Sequence, residues 1–128
     1  MLNVTSIYAA LIALFFMWLS GRVIFYRRKN RISLGDAGDK SLLKRMRAQA
    51  NCAEYAPIGL ILLALIEMSG APAFAVHLLG LMLLAGRVSH GVGFSASPPR
   101  MGARVFGTAI TLTMILLSAL GLLVHSLF

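Results

Sequence analysis

Acidic residues are scarce in this chain: Asp36, Asp39, Glu54 and Glu67 stand alone against 12 lysines and arginines, for a formal net charge of +8. Charged residues of both signs make up only 12% of the sequence, about half of what a soluble domain of this length carries, which excludes an ordinary water-soluble fold. Cysteine is nearly absent, and the single Cys52 excludes an intramolecular disulfide. The three histidines, His77, His90 and His125, fall at different depths with no acidic partner at ligand spacing, so no metal site is expected. Residues 1–6 carry no Lys or Arg, so the first apolar run lacks the basic region of a removable signal peptide and is expected to persist as a membrane helix. Internal repeats, low-complexity segments and domain boundaries are missing too, which makes residues 1–128 one domain.

What is abundant is apolar surface: 59% of residues are hydrophobic and the mean hydropathy is +0.83. A helix needs about 20 apolar residues to span the hydrocarbon of a bilayer. Four segments meet that length, at about 6–26, 48–68, 73–94 and 104–128. The expectation is an all-α membrane protein, a four-transmembrane-helix bundle. The pI near 10.9 invites a nucleic-acid reading. The cations, however, sit between apolar runs, where the charge bias of membrane topology accounts for them, and no nucleic-acid partner is expected. Arg27, Arg28, Lys29, Arg31, Lys40, Lys44, Arg45 and Arg47 crowd the loop at about 27–47, and Arg100 and Arg104 flank the third connection, while Ser69-Gly70-Ala71-Pro72 has none. Both basic loops are therefore assigned to the cytoplasmic side and both termini to the outside.

The first loop has turn chemistry at Gly35 and Gly38, and Asp39 or Ser41 can cap the helix that follows. From there a single helix can run to about Met68, with Pro57 expected to interrupt it and kink it near Ala53. Beside that point, Arg47, Asn51, Glu54 and Tyr55 recur at helical spacing and share a face. If Glu67 marks the outer interface, Glu54 lies roughly 20 Å inward along the helix. A carboxylate at that depth is costly without a cation or donors to meet it. On the third segment Arg87, His90 and Phe94 share a face, with Gly91 and Gly93 permitting close helix approach, and snorkelling can carry the Arg87 head group to the interface. The fourth opens with Arg104, followed by Gly107, Thr108 and Thr111, and Arg104 is the natural countercharge for Glu54 or for an anionic ligand. The plainer alternatives are an ion-paired Glu54 inside the bundle, an ordinary juxtamembrane Arg47 and an interfacial His90. Surplus cations around one carboxylate suit a small polar anion, and arginine can hold a thiol as its thiolate.

These residues carry a resemblance. Arg47-Ala48-Gln49-Ala50-Asn51-Cys52-Ala53-Glu54-Tyr55-Ala56-Pro57 resembles the helix-two signature of the MAPEG superfamily, the membrane-associated proteins of eicosanoid and glutathione metabolism, in its small bacterial form. Gly86-Arg87 with His90, and Arg104 with Gly107-Thr108, support it. The resemblance implies a homotrimer that binds glutathione as co-substrate between neighbouring subunits and acts as a transferase or peroxidase on a lipophilic small molecule drawn from the membrane lipid. By position it implies that Arg47, Gln49, Asn51, Glu54 and Tyr55 hold the tripeptide, that Arg87 and His90 contribute, that Arg27 or Arg28 reaches a carboxylate, and that Arg104 is the catalytic residue stabilising the thiolate. Phe94 stands where the eicosanoid-forming members have a tyrosine, and Cys52, a step off the motif's face, is expected to pack. The rival readings are a non-catalytic glutathione- or lipid-binding membrane protein and a small transporter or assembly subunit.

Overall fold

In the computed structural model, which describes residues 1–128, the chain folds into α1 (Asn3–Asn30), α2 (Lys40–Met68), α3 (Ala73–Ser95) and α4 (Met101–Leu127). All four are long and apolar enough to cross a membrane, and the chain contains no strand. α2 and α3 form the centre; α1 packs against both, α4 packs against both, and α1 does not meet α4. α1 extends beyond the span expected at 6–26 at both ends, because its ends are held by chemistry that hydropathy does not register, and α4 starts three residues before the expected 104.

α1 begins early because the Glu67 carboxylate supplies its missing cap. Oε1 accepts from the Val4 N–H at 2.9 Å and Oε2 from the Thr5 N–H at 2.7 Å, where the amides at a helix start lack internal partners. It continues to Asn30 on the cations Arg27, Arg28 and Lys29, which suit the negative end of a helix dipole. Arg31 then closes it in the left-handed conformation, and the Ile32 N–H returns to the Arg27 carbonyl at 3.0 Å. Gly35 and Gly38 take positive φ in the connection, as the turn chemistry anticipates. Asp39 caps α2: Oδ1 accepts from the Ser41 and Leu42 amides and Oδ2 from the Tyr26 hydroxyl at 2.9 Å. Those bonds, led by the Leu42 amide and the Tyr26 hydroxyl, hold its carboxyl below the usual carboxylate range.

The expected interruption at Pro57 does not occur: α2 is continuous from Lys40 to Met68 with Pro57 inside it. A proline removes one i→i−4 bond, and the turns on either side retain theirs.

Inside lipid, apolar burial gives helices little reason to associate, and small residues that allow close packing matter more. α3 and α4 use this. A Cβ at Gly107 would sit 2.5 Å from the His90 backbone nitrogen and 2.6 Å from the Gly86 carbonyl oxygen. A Cβ at Gly93 would sit 2.6 Å from that of Ala103. The centre is filled by Leu19, Ala48, Cys52, Leu63, Val76, Leu83 and Met114. Only 25 of 128 residues are buried, so most of the large apolar side chains face outward, toward lipid or further copies of the chain.

Candidate functional site

Arg87 is the anchor of the polar region. It projects from α3 into the bundle and is 1% exposed, so it does not snorkel to the interface. The reason is its acceptors. Nε and an NH2 nitrogen donate to Thr111 Oγ1 on α4 at 3.1 and 2.9 Å, and NH1 donates to Asn51 Oδ1 on α2 at 2.5 Å. Longer bonds reach the Asn51 and Gly107 carbonyl oxygens, both at 3.4 Å. Its guanidinium carbon lies 5.0 Å from the centre of the Tyr55 ring. One cation thus ties three helices together, with Asn51 and Tyr55 as its α2 partners. A buried charge requires that kind of saturation.

Thr111 is the member that sequence reasoning leaves unpaired with Arg87. Its signal is the i, i+3, i+4, i+7 spacing of Arg104, Gly107, Thr108 and Thr111, which puts them on one helix face. The glycine at 107 lets α4 come close enough for the threonine to meet the guanidinium.

Arg104 lies on the same α3–α4 seam but points the other way. Its guanidinium carbon sits 3.9 Å from the Phe94 ring centre, a cation–π contact, and its Nε is shielded from solvent without a hydrogen-bond partner. It lines a groove of about 380 Å³ with His90, Met101, Val105, Thr108, Ala109 and Leu112. His90, 5% exposed, stacks obliquely on Phe94 with ring centres 5.6 Å apart and forms part of the wall of this groove.

The remaining predicted residues are not gathered there within one chain. Arg47 and Glu54 are exposed on the outward side of α2, and no hydrogen bond of the chain reaches the Glu54 carboxylate. Arg104 is therefore not its intrachain countercharge. Gln49 donates from Nε2 to Ser20 Oγ on α1 at 3.2 Å. Arg27 and Arg28 line a separate depression with Arg31, Ile32 and Ser33, and Arg27 donates to the Gly35 carbonyl at 2.8 Å. Cys52 is buried in the core, the packing role its place off the motif's face implies.

The comparisons with known proteins agree with one another. The family model described as the MAPEG family matches residues 5–123. The inner membrane protein YecN of Escherichia coli strain K12 is 41% identical over 91 residues, covering 71% of this chain and 70% of that protein. YecN of Escherichia coli O6:H1 strain CFT073 matches over the same length with the same identity. This four-helix integral membrane protein, of the bacterial inner-membrane kind, belongs to the MAPEG family.

Proposed function

We propose that the chain binds glutathione and acts as a glutathione transferase or peroxidase on lipophilic electrophiles. The observation that carries the reading is Arg104: a guanidinium with an unpartnered, shielded Nε, held by a ring face in an open groove whose other walls combine His90 and Thr108 with the apolar Met101, Val105, Ala109 and Leu112. Such a cation lowers the pKa of a thiol placed against it. In the transferase reaction the thiol proton passes to solvent, the thiolate forms the S–C bond, and the leaving group departs with the electron pair. In the peroxidase reaction the same thiolate attacks the outer oxygen of a hydroperoxide, the O–O bond breaks and the alcohol leaves with a proton from solvent; a second glutathione thiol then displaces water from the resulting sulfenic acid to form the disulfide. Placement of two reactants in one site supplies most of the rate gain.

A single chain forms only part of such a site. Ligand pockets enclose most of their ligand, whereas this groove is open and Arg47 and Glu54 lie elsewhere on the surface. A homotrimer supplies the missing walls. Arg47, Glu54, Ile61 and Met68, with Asn51, Ile58 and Leu65 between them, alternate at intervals of three and four along α2, and all but the half-buried Asn51 are exposed. That is the repeat by which helices pack on their own copies, and it brings Glu54 and Arg47 to a subunit boundary. Arg27 or Arg28 of a neighbour then reaches a glutathione carboxylate.

Calorimetry with glutathione in detergent tests the reading. Binding at or below millimolar concentration is expected, weakened at least about tenfold by Glu54→Gln and by Arg104→Ala, a difference of about 1.4 kcal/mol. Affinity untouched by both substitutions means that the site lies elsewhere. A second reading, binding without turnover, is favoured by Phe94, which removes one hydroxyl donor to the ligand. Conjugation of an electrophilic aromatic substrate separates the two: bound glutathione with no thiol-dependent turnover leaves the binding protein.

A further inference from the structure

A second charged cavity lies away from that site, at the basic end of the bundle between α1 and α2. It has a volume of about 510 Å³ and is lined by Arg22, Phe25, Tyr26, Lys29, Asn30 and Arg45. Three cations face it. The one carboxylate nearby, Asp39, already accepts two backbone amides and the Tyr26 hydroxyl. Arg45 is positioned by its stack on Tyr26, 4.4 Å from ring centre to guanidinium carbon, and by donation to the Ser41 carbonyl at 3.0 Å. Arg22 lies 5.0 Å from the ring centre of Trp18. Three cations with spare donors, against one neighbouring carboxylate whose oxygens are already taken up, call for an anion.

Depth identifies the kind of anion. The bonds from Glu67 to Val4 and Thr5 set α1 and α2 level at the opposite end. Counting from there at 1.5 Å per residue, Arg22 lies about 27 Å along α1 and Arg45 about 33 Å along α2. The hydrocarbon is about 30 Å thick, so both guanidinium groups stand where lipid phosphates lie. On α1, Leu14, Trp18, Arg22, Phe25 and Lys29 share one face by spacing, and Leu14, Trp18 and Phe25 are exposed. The face runs from apolar through aromatic to cationic, the profile of an acyl chain under its headgroup.

We propose that this α1–α2 cleft binds the phosphate headgroup of an anionic phospholipid, with Arg22, Lys29 and Arg45 on the headgroup and the Trp18–Phe25 face along an acyl chain. The test is native mass spectrometry of the delipidated protein titrated with phosphatidylglycerol and, separately, with phosphatidylethanolamine. Phosphatidylglycerol is expected to be retained at least about tenfold better. Arg22→Gln with Arg45→Gln should weaken that retention about 30-fold at low salt, since each cation near the headgroups contributes about a factor of five. Arg22→Lys with Arg45→Lys should restore most of it, and Arg100→Gln, an exposed cation in the other basic connection, should leave it unchanged. Equal retention of the two lipids overturns the proposal without requiring any variant to fold. An equal loss in Arg100→Gln also overturns it, by reducing the effect to net charge. Displacement of phosphatidylglycerol by inorganic phosphate, or by glutathione, reassigns the cleft to a soluble anion and overturns it as well.

Discussion

Thr111→Val should destabilise the bundle far more than a lost hydroxyl ordinarily does in a membrane. Interhelical hydrogen bonds between membrane helices average about 0.6 kcal/mol, because the separated helices find other partners. Thr111 Oγ1 differs in accepting two bonds from one guanidinium that is 1% exposed. Bonds to charged groups are worth about 1.5–3 kcal/mol each, and stranding a buried donor incurs its desolvation. Valine keeps the shape and removes both acceptors, leaving Arg87 only Asn51 and the Gly107 carbonyl. The expected loss is about 2–4 kcal/mol, read as a shift in the SDS unfolding midpoint followed by far-UV circular dichroism in mixed micelles. The cycle with Arg87→Leu isolates the cause. Once the guanidinium is gone, Thr111→Val should cost no more than about 0.6 kcal/mol, the value for an ordinary membrane hydrogen bond. Equal costs in the two backgrounds would show that Thr111 is not what holds Arg87, and the account of the three-helix tie would fail.

Gly107→Ala should separate α3 from α4, because the added methyl meets backbone at 2.5 and 2.6 Å; about 3 kcal/mol of overpacking is expected in the same assay. Gly102→Ala, with open space around it, should be neutral or gain up to about 1 kcal/mol of helix propensity, so equal effects at the two sites would refute the close approach. The Asp39 cap should loosen in acid. A carboxyl held below its usual pKa stabilises the fold above the unfolded value near 4, and this contribution is lost as pH falls through the folded value. Amide exchange at Ser41 and Leu42 should then accelerate, an acceleration absent in Asp39→Asn. Phe94→Leu removes the ring under Arg104 and about 0.5–2 kcal/mol of cation–π attraction. The ultraviolet thiolate absorbance of bound glutathione should fall in Phe94→Leu and persist in Phe94→Tyr; an unchanged signal in Phe94→Leu would show that the ring does not position Arg104.

The helices are legible in the sequence because a bilayer imposes a length, and runs of some 20 apolar residues between basic loops have no other economical fold. Their ends are less so. Glu67 looks like an interface marker in sequence, and its work as the cap of α1 depends on a contact 63 positions away. Pro57 reads as a break because the local rule knows only the lost N–H, while the continuity of α2 reflects the bonds on either side. The polar faces are visible through spacing, and Arg87, His90 and Arg104 do lie along one seam. What spacing does not convey is direction. Arg87 lies deep enough to look like a snorkelling residue, yet the acceptors on α2 and α4 turn it inward.

That difference in direction decides which arginine is free to meet a ligand. Arg87 has five N–H donors at most, and its bonds to Thr111, Asn51 and Gly107 occupy nearly all of them. A ligand anion could recruit it only by breaking bonds that hold three helices together. Arg104 is held through its π face, which consumes no donor, so its N–H edge remains available to an incoming anion. Phe94 therefore matters for more than the hydroxyl it lacks. A ring at position 94 fixes the arginine without competing for its hydrogen bonds, and phenylalanine does this as well as tyrosine. On the proposed function, the absent hydroxyl removes one donor to the tripeptide without removing the Arg104 edge that a thiolate would meet.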